Sequence, residues 1–169
     1  MQARGIRFAT IAVALFAAAG CGTDALSTTV SPSVCKSEIQ WTGGDEESPL
    51  MHPGRDCIAC HTERKEGPEF AIAGTVFPDL HEADDCYGES GVKVVITDAV
   101  GNETTLTANA SGNFFLEKAQ AAALKLPYTA KVVSGNKENA MSTPQFAGSC
   151  NSCHTKAGTS GAPGRITVP

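Results

Sequence analysis

Gly91-Val92-Lys93-Val94-Val95-Ile96-Thr97-Asp98 decides the fold class. Val92, Val94 and Ile96 alternate with Lys93, Val95 and Thr97, the two-residue period of a strand with one face on a core. Asp98-Ala99-Val100-Gly101-Asn102 reads as a turn, and Thr104-Thr105-Leu106-Thr107 continues as the next strand. Asn109-Ala110-Ser111-Gly112 is a second turn, followed by Asn113-Phe114-Phe115-Leu116-Glu117. Upstream, Ala71-Ile72-Ala73-Gly74-Thr75-Val76-Phe77 is a strand; downstream, Pro127-Tyr128-Thr129-Ala130-Lys131-Val132-Val133 alternates again. The Ala-rich stretch 118–126 reads as a helical turn or a loop. Short strands at this spacing, broken by Gly and Asn turns, predict a mainly β fold, an antiparallel sandwich over residues 69–140.

On either side of that β region the chain uses one pentapeptide twice. Cys57-Ile58-Ala59-Cys60-His61 and Cys150-Asn151-Ser152-Cys153-His154 both read C-x-x-C-H, each followed by Thr. This is the attachment signature of a c-type haem. Two thiols on a short turn reach the two vinyl carbons of one porphyrin, and the adjacent His offers its imidazole to the iron. The expectation is therefore two covalently bound c-type haems, held by Cys57, Cys60, Cys150 and Cys153, with His61 and His154 as proximal ligands. A four-thiolate zinc site is the competing reading, but zinc does not require a His at the same place in both copies. A redox dithiol is the other, and it calls for a strand before the motif and a helix after it. Here Pro53-Gly54 precedes the first copy and a Gly-rich tail follows the second.

A low-spin c haem needs a second axial ligand, supplied by His or Met. The chain has four His, and the motifs use two, so His52 and His81 are the candidate distal ligands, with Met51 and Met141 as competitors. Two spare His for two haems predict two bis-His haems. From His52 to Cys57 the chain spans about 17 Å at full stretch, so His52 serves either its own haem or the other one. Trp41, the single Trp, packs on a haem face or plugs the end of the core.

Residues 1–20 read as a signal peptide. Arg4 and Arg7 form the positive end, Phe8 to Ala19 is apolar, and small residues precede Cys21. Ala18-Ala19-Gly20-Cys21 resembles a bacterial lipobox, which implies cleavage before Cys21 and lipidation of its sulfur. Gly22 follows, and by resemblance to lipoprotein sorting the destination is the outer membrane. Residues 21–50 form the lipidated Cys with a polar tether and N-terminal arm, including the solvated acidic run 43–47.

The chain has seven Cys. Lipidation takes one and the motifs four, which leaves Cys35 and Cys86 as a disulfide in an oxidising compartment. Cleavage removes two of the 13 basic residues against 18 acidic ones, for a mature charge of −7. That balance excludes nucleic acid as a partner and permits steering toward a basic redox protein. About 150 mature residues suffice for one core.

Gly74-Thr75-Val76, the Gly91–Asp98 stretch, Gly101, Ser111-Gly112-Asn113-Phe114 and Tyr128-Thr129-Ala130-Lys131-Val132 together resemble carboxypeptidase regulatory-like domains. That resemblance implies a Greek-key sandwich of the prealbumin or immunoglobulin-like type, and it carries no catalytic residues. The two motifs, with Pro53-Gly54-Arg55-Asp56, Met141-Ser142-Thr143-Pro144 and the Gly161–Ile166 tail, make the mature chain similar to small multihaem c-type cytochrome lipoproteins. Residues 51–68 and 141–169 are then irregular haem-binding loops flanking the sandwich, with the tail from 155 lying irregularly over the surface. The implied function is one-electron transfer between redox proteins at the cell envelope, by a carrier and not an enzyme. Two other readings remain: a haem enzyme or sensor with one open iron site, and a surface-anchored binding module.

Overall fold

The computed structural model describes residues 34–169; the expected signal peptide and the expected lipidation site at Cys21 lie outside the described residues. The five expected strands form: β1 Phe70–Phe77, β2 Lys93–Thr97, β3 Glu103–Thr107, β4 Asn113–Glu117 and β5 Thr129–Ser134. Two more join them, β6 Lys137–Ala140 and β7 Ile166–Thr167. The chain is mainly β, in two sheets of order β4-β1-β7 and β3-β2-β5-β6. Every pairing is antiparallel except β1 with β7.

One core joins the sheets. Ile72, Val76, Phe114 and Leu116 come from the first sheet, and Val94, Ile96 and Val132 from the second. Val94 and Ile96 are buried as their alternation requires, but Val95, expected on the solvent face, is buried too. Its place in a central strand explains this: Thr105 of β3 and Lys131 of β5 stand beside it in register and cover it. Asp98 closes the β2–β3 turn by accepting from the backbone N–H of Val100 (3.0 Å) and Asn102 (2.8 Å). At the second turn a side chain on Gly112 would bring its Cβ to 2.6 Å from the Val76 carbonyl, so only glycine fits.

Cys35 and Cys86 form a disulfide across 51 residues. On the chain-entropy account, closing a loop of that length stabilises the fold by about 4 kcal/mol. The sulfurs are buried with Phe77 in a second small cluster, and residues 39–41 pair with the 85–87 segment beside it.

Two expectations need correction. The tail is not irregular throughout: Ile166 and Thr167 pair with Val76 and Phe77 on the open edge of β1, and Arg165 is buried. The first motif lies in a helix, α1 Cys57–Arg64, and the second in a single helical turn, α2 Cys150–Cys153, and not in irregular loops. Asp56 makes α1 possible by accepting the Ala59 N–H at 2.9 Å as its N-cap, and Lys65 ends it in the left-handed region. The 118–126 stretch is turn and loop. Among the described residues no helix is long and apolar enough to cross a membrane.

Candidate functional site

Both motif helices pack on β1. The approach to the second is a close backbone crossing: Ala73 donates to the Gly148 carbonyl at 3.0 Å, and a Cβ on Gly148 would fall 1.7 Å from the Ala71 carbonyl. Ser149 then begins α2, but its hydroxyl does not cap its own helix. It donates instead to Asp56 Oδ1 at 2.5 Å, the oxygen that caps α1. The residues immediately before Cys57 and Cys150 are thus hydrogen-bonded to each other, and the two motifs, 93 residues apart in the chain, stand side by side.

Asn151, a variable position of the second motif, fastens the pair to the sheet. It is 4 % exposed. Its amide donates to the Arg55 carbonyl (2.8 Å) and to Thr75 Oγ1 (3.2 Å), and its Oδ1 accepts from Thr75 N (3.1 Å). Thr75 Oγ1 also accepts from Gly54 N (2.9 Å) and donates to Asn113 Oδ1 (2.7 Å), while the Asn113 amide donates to the Met51 carbonyl (2.9 Å). Replacing Asn151 by Ala removes three hydrogen bonds, two of them buried, and takes from the Thr75 N–H its side-chain acceptor. We expect a loss of about 2 kcal/mol in denaturant unfolding; no measurable change would mean that the network does not hold the two segments.

The cysteines and histidine of each motif line a different cavity, and Asn151 and Ser152 of the second motif also border the first motif's cavity. Cys57, Cys60 and His61 line one of about 720 Å³, together with Met51 and His52. Cys150, Cys153 and His154 line another of about 420 Å³, walled by Ile96, Phe114, Val132 and Met141. Both volumes lie in the range of small-molecule and cofactor sites. Cys57, Cys150 and Cys153 are free thiols. Burial pushes the Cys57 thiol up to about 11, helped by the Asp56 charge, and the Cys150 thiol up to about 12. Cys60 is disulfide-bonded, a fate exclusive of thioether formation by the same sulfur, so haem attachment there requires it as a thiol.

The two motif imidazoles are presented differently. His154 Nδ1 lies 2.9 Å from the Gly164 carbonyl, which can only accept, so Nδ1 carries the proton and Nε2 keeps its lone pair for a metal. The His61 ring packs against Phe70, with centroids 4.7 Å apart and the planes tilted by 52°. Its Nδ1 is buried and has no partner, the one such side-chain nitrogen or oxygen among the described residues. Two thiols, an imidazole and a cavity at the second motif fit a c-type haem; the first motif offers the same set once Cys60 is a thiol.

The candidate distal ligands are scattered. His52 lines the first cavity, but both its nitrogens face carboxylates, Nδ1 at 2.9 Å from Asp85 and Nε2 at 3.2 Å from Asp45. Burial pushes the Asp85 carboxyl up, yet hydrogen bonds from His52 and Arg55 outweigh it and hold the group below the usual carboxylate range. Arg64 holds Asp45 down likewise. Trp41 stands edge-on to His52 at 6.2 Å rather than at the end of the core. His81 is exposed, with Nδ1 2.7 Å from the Lys156 carbonyl, and lines neither cavity. Met51 lines the first cavity and Met141 the second.

Sequence reasoning missed Arg165. Only 2 % exposed, it donates to the carbonyls of Glu82 (2.9 Å), Gly54 (3.0 Å) and His154 (3.3 Å), pairs with Asp84, and lies over the Phe77 ring. It therefore ties the approach to the first motif to the end of the second. No local pattern marks an Arg in a Gly/Pro tail as buried. Compared with family models, curated proteins and solved structures, the chain matches none.

Proposed function

We propose that this chain is a dihaem c-type cytochrome that passes single electrons between redox proteins of the cell envelope. The observation that carries the reading is that the cysteines and histidine of each C-x-x-C-H motif line a different cavity, with the two motifs joined through Ser149 and Asp56. Cys57 and Cys60, as thiols, would hold one haem by thioethers and Cys150 and Cys153 the other, with His61 and His154 offering their imidazoles to the irons. The haems supply the one-electron chemistry. The protein fixes their separation: β1, Asn151 and Arg165 lock the two attachment segments to one rigid sheet, so a carrier needs no conformational change to relay an electron. In this reading the two sheets close as a Greek-key sandwich of prealbumin type that acts as the mount, Cys21 is the lipid anchor, and the location is the outer membrane. The acidic surface favours a basic partner.

His52 favours one other reading. With both ring nitrogens spent on carboxylates, the first iron lacks a ready imidazole on its far side, which suits a haem sensor or enzyme with one open site. Intact mass and optical spectra of protein matured by a c-haem assembly system separate these. Two added haems with wholly low-spin bands are expected for the carrier. Two haems with a high-spin component and rapid carbon monoxide binding would move the assignment to the sensor. No added haem, with zinc found by metal analysis, would overturn both.

A further inference from the structure

We infer that the haem at Cys150 and Cys153 takes Met141 as its second iron ligand. This rests on the dihaem reading and departs from two bis-His haems. Of the four side chains able to serve, only Met141 lines the second cavity. His81 is outside it, and Met51 and His52 line the first. Met141 comes from a different wall than the proximal ligand. It follows β6, fixed by its N–H to the Ala130 carbonyl at 2.9 Å, whereas His154 follows α2. It also packs on the same core cluster as Cys150, so thioether, thiol and imidazole belong to one enclosed space.

Other donors on that lining are engaged elsewhere. The Lys131 ammonium is 3.0 Å from Glu138, the Tyr128 hydroxyl donates to the Ala147 carbonyl at 2.9 Å, and Arg165 has no lone pair to give. Ile96, Phe114 and Val132 give the cavity an apolar side, with Asn139, Ser142 and Gln145 also on its lining; a neutral sulfur suits that apolar side. A thioether ligand raises the potential of a haem relative to an imidazole. The second haem then sits at a higher potential than a bis-imidazole haem in the same place would.

The test uses the matured full chain with both haems counted by mass. A ferrous proton spectrum is expected to show the strongly upfield-shifted methyl resonance of an iron-bound methionine. Met141→Ala and Met141→Leu should both lose that resonance while keeping two haems, and one of the two steps in a redox titration should fall while the other stays. Met51→Ala should leave the resonance in place. If two haems are bound and the resonance is missing from the parent protein, or survives in both Met141 variants, this assignment is wrong and the dihaem reading stands. If the mass carries no haem at the second motif, both fail together.

Discussion

Changing Cys150 and Cys153 together to alanine is expected to give a matured protein lighter by one haem and otherwise intact, and changing Cys57 and Cys60 should do the same at the other motif. Both thiols are removed because one remaining thioether can still retain a haem. The expectation of independence comes from the cavities. Cys57, Cys60 and His61 border one space, and Cys150, Cys153 and His154 border another. The segments share their footing, through Asp56, Ser149 and Asn151, but none of those contacts involves a cysteine sulfur. Losing a haem should therefore leave the footing standing. Mass spectrometry gives the haem count, and the redox titration should collapse from two steps to one. The surviving step identifies which potential belongs to which motif. Loss of both haems in either variant would mean that attachment at one site depends on the other, and the picture of two independently loaded sites would fall.

The parts of this fold that were legible in the sequence share one property: the residue pattern is itself the structural requirement. β2 is half-buried, so Val94 and Ile96 must alternate with wetter neighbours, and the period shows. The two motifs repeat one spacing with a His at the same place, so the sequence alone pairs them. Cys35 and Cys86 emerge by elimination because a thiol has few fates outside the cytoplasm. β6 was invisible for the opposite reason. Lys137 to Ala140 is an exposed edge strand, with no buried face to impose a period. β7 is two residues long and exists because β1 leaves an edge open to it. The juxtaposition of the motifs was also illegible. It depends on Thr75, Asn113, Asn151 and Arg165, whose partners lie tens of residues away and whose neighbours in sequence carry no sign of them. Polar residues that satisfy buried backbone groups at long range have no local signature, yet here they decide where the chemistry sits.

Arg165→Leu should therefore reach further than a surface ion pair would. The guanidinium is almost fully buried and spends its donors on three backbone carbonyls as well as on Asp84. Leucine fills much of the volume and can still pack on Phe77, so the loss is mainly electrostatic and hydrogen-bonding. Asp84 is half exposed and can turn to water, which discounts its share. The carbonyls of Gly54 and Glu82 have no such escape, and hydrogen bonds to a charged donor are worth about 1.5–3 kcal/mol each. A loss of about 3–5 kcal/mol in denaturant unfolding is expected, with Arg165→Lys in between because one ammonium cannot span the same fan of acceptors. The functional consequence follows from which carbonyls are held. Gly54 leads into the first motif and His154 ends the second, so the side chain bears on their relative position. In protein that still carries two haems, the Leu variant should show weaker interaction between the two redox steps and slower internal equilibration after reduction of one site. Unchanged stability would show that the tail merely covers the surface. Lost stability with unchanged redox interaction would show that Arg165 holds the fold without setting the distance between the haems.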